Sequence, residues 1–186
     1  NVNCNIFTLF FHNVGDIKIF LRDPEFFLSL KKKFSIRNLG FSVYELKDLE
    51  AINNLKIRVS LQFPFNILNE SFNKIIEKKN FFEPLFARSI FLQGLLTKKP
   101  KKNINKHTQT SVQSYFKFLK NHNISPLELC LSHAAKRQKI DYFIFGVENY
   151  RQIENIISTN LININEDRIK KIKSFFSNSE IDPRNW

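Results

Sequence analysis

Apolar and polar positions alternate between two patterns along this chain. Short runs of near-continuous apolar residues are followed by stretches in which apolar residues recur every three or four positions. The first pattern predicts strands buried on both faces and the second predicts helices. Strands are expected at Ile6–Phe11 (ending at His12), Asn38–Val43, Ile57–Phe63 (stopped by Pro64), Pro84–Ser89 and Asp141–Phe145 (ending at Gly146). Helices are expected at Pro24–Ile36, Glu45–Asn54, Glu70–Lys79 and Ser111–Asn121. Another opens with Ser125, Pro126 and Glu128, the residues of a capping box, and runs to about Gln138. Asn149 starts one that reaches about Thr159, and Asn165 with Glu166 and Asp167 starts the last, to about Phe176. A loop of about twenty residues, Ile90–Gln109, is the longest break in the pattern.

The order is β then α, repeated, which signals a parallel sheet covered by helices. Five such units are visible, without a glycine fingerprint after the first strand. A doubly wound sheet and a piece of a (β/α)8 barrel both satisfy this pattern. A whole barrel takes about 250 residues, and the chain has 186, which suits a single domain.

Composition narrows the function classes. At 42% hydrophobic and 25% charged residues the chain reads as globular, and no apolar run is long enough for a membrane span. Cys4 and Cys130 form no ligand or redox spacing, and with no signal peptide visible the expected compartment is the cytoplasm. No metal site is expected. Met is absent, even at position 1, so the chain is expected to be truncated at its N-terminus. The net charge of +12 admits nucleic acid as a partner. The densest basic run, Thr97–Asn103, has no interleaved aromatic residue and matches no binding motif, so no nucleic-acid partner is expected.

Five segments, in order, resemble the aldo/keto reductase family: "LFFHNVGD", "RNLGFSVYELKDLEAI", "VSLQFPFNILNESF", "FARSIFLQGLLTK" and "DYFIFGVENYRQIENII". They are similar to the family's strand-four to strand-eight motifs and cover essentially the whole chain. The "SVY", "QFPFN" and "RSIFLQGLL" spellings resemble a branch linked to bacterial surface-polysaccharide pathways. The resemblance implies an α/β fold, the last five βα units of a partial (β/α)8 TIM barrel with parallel strands. It implies an oxidoreductase that uses NADPH, with NADH as the alternative, on a small carbonyl substrate related to sugars.

The resemblance also implies roles for residues. His12 would hydrogen-bond the substrate carbonyl, and it is the one catalytic candidate. Ser42 and Gln62 would hold the nicotinamide carboxamide; the Asn usually beside the Ser is Val43 here. Arg88 would lie against the nicotinamide ring. Ser89 would bond a phosphate or ribose, and Gln93 and Gly94 would border the diphosphate. Gly146 and Val147 would begin the adenosine-phosphate site, and Gln152 would lie near the adenine; the Asn expected after it is Ile156. The family's Asp, Tyr and Lys should precede His12, and no residue of this sequence matches them, so the chain alone is expected to be inactive. His107, His122 and His133 are expected at the surface. Because parallel strands end on one side, Ser42, Gln62, Arg88 and Gly146 should share a face. The competing reading is a non-enzymatic basic protein that binds nucleic acid or a protein partner through a half barrel.

Overall fold

Five parallel strands form one sheet in the order β1-β2-β3-β4-β5, which is also their order along the chain. The computed structural model describes residues 5–52, 57–78, 82–98 and 104–185. The strands are β1 (Thr8–Phe11), β2 (Asn38–Ser42), β3 (Val59–Pro64), β4 (Phe82–Arg88) and β5 (Tyr142–Phe143). The helices are α1 (Val14–Arg22), α2 (Pro24–Lys33), α3 (Asn73–Glu77), α4 (Lys106–Asn121), α5 (Pro126–Ala135), α6 (Tyr150–Ile157) and α7 (Glu166–Lys173). Short 3-10 turns lie at Leu46–Ala51 and Leu92–Gly94, with two more after α7. This is an α/β fold, a partial (β/α)8 barrel with helices between its strands.

Most expected elements form, and the differences have local causes. α1 is not among the elements the pattern predicts. It is only nine residues long and follows β1 after a two-residue gap, so its signal merges with the strand's. Asp16 starts it, its Oδ2 accepting the Asn13 amide at 3.0 Å, and Ile17 and Phe20 are its buried positions. The helix expected from Glu45 is a 3-10 turn; its last predicted residue, Asn54, lies outside the described residues, as does Lys79. α4 starts at Lys106, inside the expected loop, whose residues 99–103 lie outside the described residues. Asn105 caps it, its Oδ1 accepting the Thr108 amide at 2.9 Å. The caps read from the sequence at Ser125, Asn149 and Asn165 all accept a backbone amide of their first turn.

The described residues group into two compact units. The first comprises the chain to Pro64, Ser71–Arg88 and Lys139–Tyr142. Its core is built from phenylalanine. Phe11 of β1 packs against Phe20, Phe27 and Phe41, with ring centroids 5.0–5.4 Å apart, and these rings join α1 and α2 to the sheet. Successive strand residues point to opposite faces, so Phe10 faces away from that layer. It meets Phe86 of β4 edge-on at 5.0 Å, and Phe86 stacks on Tyr142 of β5 at 4.9 Å. Asp141 fastens β5 to β4: its side chain accepts the Leu85 amide at 2.8 Å, and its own amide donates to the Leu85 carbonyl at 3.1 Å.

The second unit comprises Phe65–Glu70, Ser89–Gln138 and the chain from Phe143 onward. Its buried side chains include Tyr115, Leu119, Leu129, Cys130 and Ile172. The Tyr115 hydroxyl donates to the Leu96 carbonyl at 2.9 Å. Burial pushes the Cys130 thiol up to about 12, against a smaller opposing effect of the Tyr115 hydrogen bond, so it is an unreactive core residue. No helix among the described residues is long and apolar enough to cross a membrane.

Candidate functional site

Parallel strands bring their last residues to one edge of the sheet, and three predicted site residues stand there in the first unit. Ser42 ends β2 and pairs in register with Gln62 of β3. The Ser42 hydroxyl, buried, donates to Gln62 Oε1 at 2.9 Å. Arg88 ends β4 in register with Pro64. Its Nη2 donates to the Val43 carbonyl at 3.3 Å, and its guanidinium lies over the Tyr44 ring, 4.1 Å from the ring centre. Burial draws the guanidinium below its usual range, and Tyr44 opposes that shift. His12 follows the last residue of β1, whose Phe11 pairs with Phe41, so it belongs to the same end of the sheet. It is exposed.

The predicted phosphate-side residues form two turns in the second unit. Ser89, Leu92, Gln93 and Gly94 all have positive φ, at 63°, 46°, 52° and 87°. A side chain costs strain in that region, and three non-glycine residues there make this turn unusual. Nothing lies within 4 Å of where a Gly94 Cβ would stand, so backbone conformation rather than crowding calls for glycine. Buried Asn66 holds the turn: its Nδ2 donates to the Ser89 carbonyl at 3.2 Å, and its Oδ1 accepts the Leu68 and Asn69 amides, both at 3.0 Å.

Gly146 and Val147 are exposed in the segment that enters α6. Gln152 is held locally. Its amide donates to Asn149 Oδ1 at 3.1 Å and its side-chain oxygen accepts the Glu148 amide at 2.8 Å. The residue expected near an adenine therefore also closes the cap of α6.

Tyr44 and Asn66 were not expected at the site. Asn66 ends the "QFPFN" segment, so its place was visible while its partners were not. The surface reading of His133 is wrong. His133 is 3% exposed, stacks on the Phe65 ring at 5.4 Å, and has Nε2 3.3 Å from Glu70 Oε1. Its place on α5 beside buried Leu129, Cys130 and Ala134 was the available signal. His107 is exposed but has a partner, with Nε2 3.4 Å from Glu180 Oε2. Among the described residues, no group of three His, Cys, Asp or Glu side chains could hold a metal ion.

The sequence profile described as "Aldo/keto reductase family" matches residues 10–176. The chain belongs to the aldo/keto reductase family. A search of curated protein sequences found no match. Among solved structures, this aldo/keto reductase chain is similar to AKR11C1 from Bacillus halodurans in its apo form, with a TM-score of 0.70 and 17% identity. The match covers 92% of this chain and 62% of that one. The glycerol dehydrogenase AKR11B4 from Gluconobacter oxydans matches with a TM-score of 0.63 and 14% identity, over 92% of this chain and 58% of that one. At such identities the likeness bears on fold alone, and the chain spans about three fifths of these structures' length.

Proposed function

We propose that these residues are the cofactor-binding, C-terminal part of an oxidoreductase that moves a hydride between a nicotinamide dinucleotide and a carbonyl or hydroxyl carbon. NADPH is the proposed cofactor, with NADH as the alternative, and the substrate is a small carbonyl compound. One observation carries the reading: Ser42 bonds Gln62 across neighbouring strands, and Arg88 ends the next parallel strand at the same side of the sheet.

The donor set fits a nicotinamide. The Ser42 hydroxyl proton is engaged by Gln62 Oε1, so the Ser oxygen keeps lone pairs to accept and the Gln amide nitrogen keeps protons to donate. A primary carboxamide offers the complementary pair. When bound, the cofactor supplies the hydride. Ser42 and Gln62 orient the carboxamide, and the planar guanidinium of Arg88 packs against the ring. By resemblance to the family's motifs, Ser89, Gln93 and Gly94 are assigned to the diphosphate, and Gly146, Val147 and Gln152 to the adenosine half. His12 donates a hydrogen bond to the substrate carbonyl and fixes its orientation. The proton that the carbonyl oxygen takes up comes from an acid outside these residues.

The test is calorimetric titration of the full natural chain with NADPH. Binding that weakens about tenfold or more in Gln62→Leu, with folding unchanged, is expected from the loss of a polar contact. Unchanged affinity in that variant would overturn the assignment of this site.

A further inference from the structure

Arg88 does not turn to solvent, although it is the last residue of its strand. Its guanidinium reaches past β3 to the chain leaving β2, where it meets the Tyr44 ring at 4.1 Å and the Val43 carbonyl at 3.3 Å. Two contacts on consecutive residues, one to a ring and one to a backbone oxygen, hold the guanidinium in place. The side chain is partly buried, and an arginine keeps its charge throughout the physiological pH range. The strand ends therefore carry a positive charge in one place, screened by water less than a surface charge would be.

The guanidinium lies over the Tyr44 ring, and on the cofactor reading above the nicotinamide ring packs against Arg88. The reduced ring is neutral and the oxidised ring is a pyridinium cation. A cation held against the ring raises the free energy of the oxidised complex and leaves the reduced complex without that penalty.

We propose that the Tyr44–Arg88 stack discriminates between the redox states of the cofactor, holding the reduced, uncharged nicotinamide more tightly than the oxidised pyridinium. The inference rests on the cofactor reading above. Arg88 supplies the charge. Tyr44 is a positioning residue, holding the guanidinium beside its ring. The consequence is directional: a site that favours the reduced cofactor suits carbonyl reduction.

Separate calorimetric titrations of the full natural chain with NADPH and NADP+ test this. The dissociation constant for NADP+ is expected to exceed that for NADPH by about tenfold or more, the size of a close like-charge effect. Arg88→Leu should bring the two within about threefold of each other, and Arg88→Lys, which keeps the charge, should preserve part of the difference. Tyr44→Phe keeps a ring face and should leave the ratio unchanged, whereas Tyr44→Ala should reduce it. Equal wild-type affinities, or a ratio that survives Arg88→Leu, overturn the inference while the cofactor site stands. If the wild type binds neither form, the cofactor reading fails and takes this inference with it.

Discussion

Phe10 of β1 and Phe86 of β4 pack edge-on, 5.0 Å apart, although two strands lie between theirs. The strand beneath the Phe10 ring makes this possible. A Cβ at Gly40 of β2 would stand 2.7 Å from the Phe10 ring and 2.8 Å from Ser60 Cβ. Gly40→Ala is expected to cost about 1–3 kcal/mol, the usual range for overpacking. Thermal unfolding followed by circular dichroism measures it. An unchanged midpoint would show that Phe10 moves aside without loss.

Glu70 gives a pH-dependent contribution. Burial would raise its pKa, but the neighbouring His133, Lys173 and Arg137 outweigh that and hold the carboxyl well below the usual range. Arg137 Nη2 donates to it at 2.6 Å, and Lys173 donates to the other oxygen. A depressed carboxyl stabilises the fold above its ordinary value of 4.5, and the contribution is lost as pH falls below that. Glu70→Gln should therefore cost about 2 kcal/mol at neutral pH. The gap from wild type should narrow at about pH 3. Urea unfolding at the two pH values checks both statements, and a gap independent of pH contradicts them.

Asn66→Ala leaves two amides and the Ser89 carbonyl without their side-chain partner. A loss of about 2 kcal/mol is expected, a fall of roughly 4–8 °C in Tm for a chain of this size. The same variant should weaken NADPH binding, because the turn it releases contains Ser89 and Gln93. Full retention of both properties would remove Asn66 from the site's support.

Cys130 should resist thiol reagents in the folded protein, since its thiol is buried and its pKa stands at about 12. In a Cys4→Ser background, labelling by a disulfide reagent should be slow until denaturant is added. Rapid labelling under native conditions would mean that α5 opens readily.

The 186-residue chain by itself is expected to reduce aldehydes poorly beside the full natural protein, because no residue here matches the family's proton donor. General acid catalysis is worth about 10²–10⁴-fold. NADPH oxidation with a panel of aldehydes compares the two, and equal rates would show that a residue of this chain, Tyr44 among them, supplies the proton.

What the sequence determined by itself was local. Apolar runs marked the strands, and their alternation with helical spacing marked a parallel α/β sheet. Ser125, Asn149 and Asn165 were legible as caps because each bonds an amide three residues on. The strand-end residues were legible through the family motifs, and parallel strands required Ser42, Gln62 and Arg88 to end on one side. The tertiary structure decided the partners. Asn66 meets Ser89 across 23 residues, and Arg88 meets Val43 across 45. His133 is buried because α5 packs it onto Phe65 and Glu70; its apolar neighbours on α5 hinted at burial, but these partners lie far off in the sequence. Caps and strands depend on neighbours that the chain brings together by itself. The environment of a strand end or a helix face depends on which distant element packs there, and only the folded chain determines that.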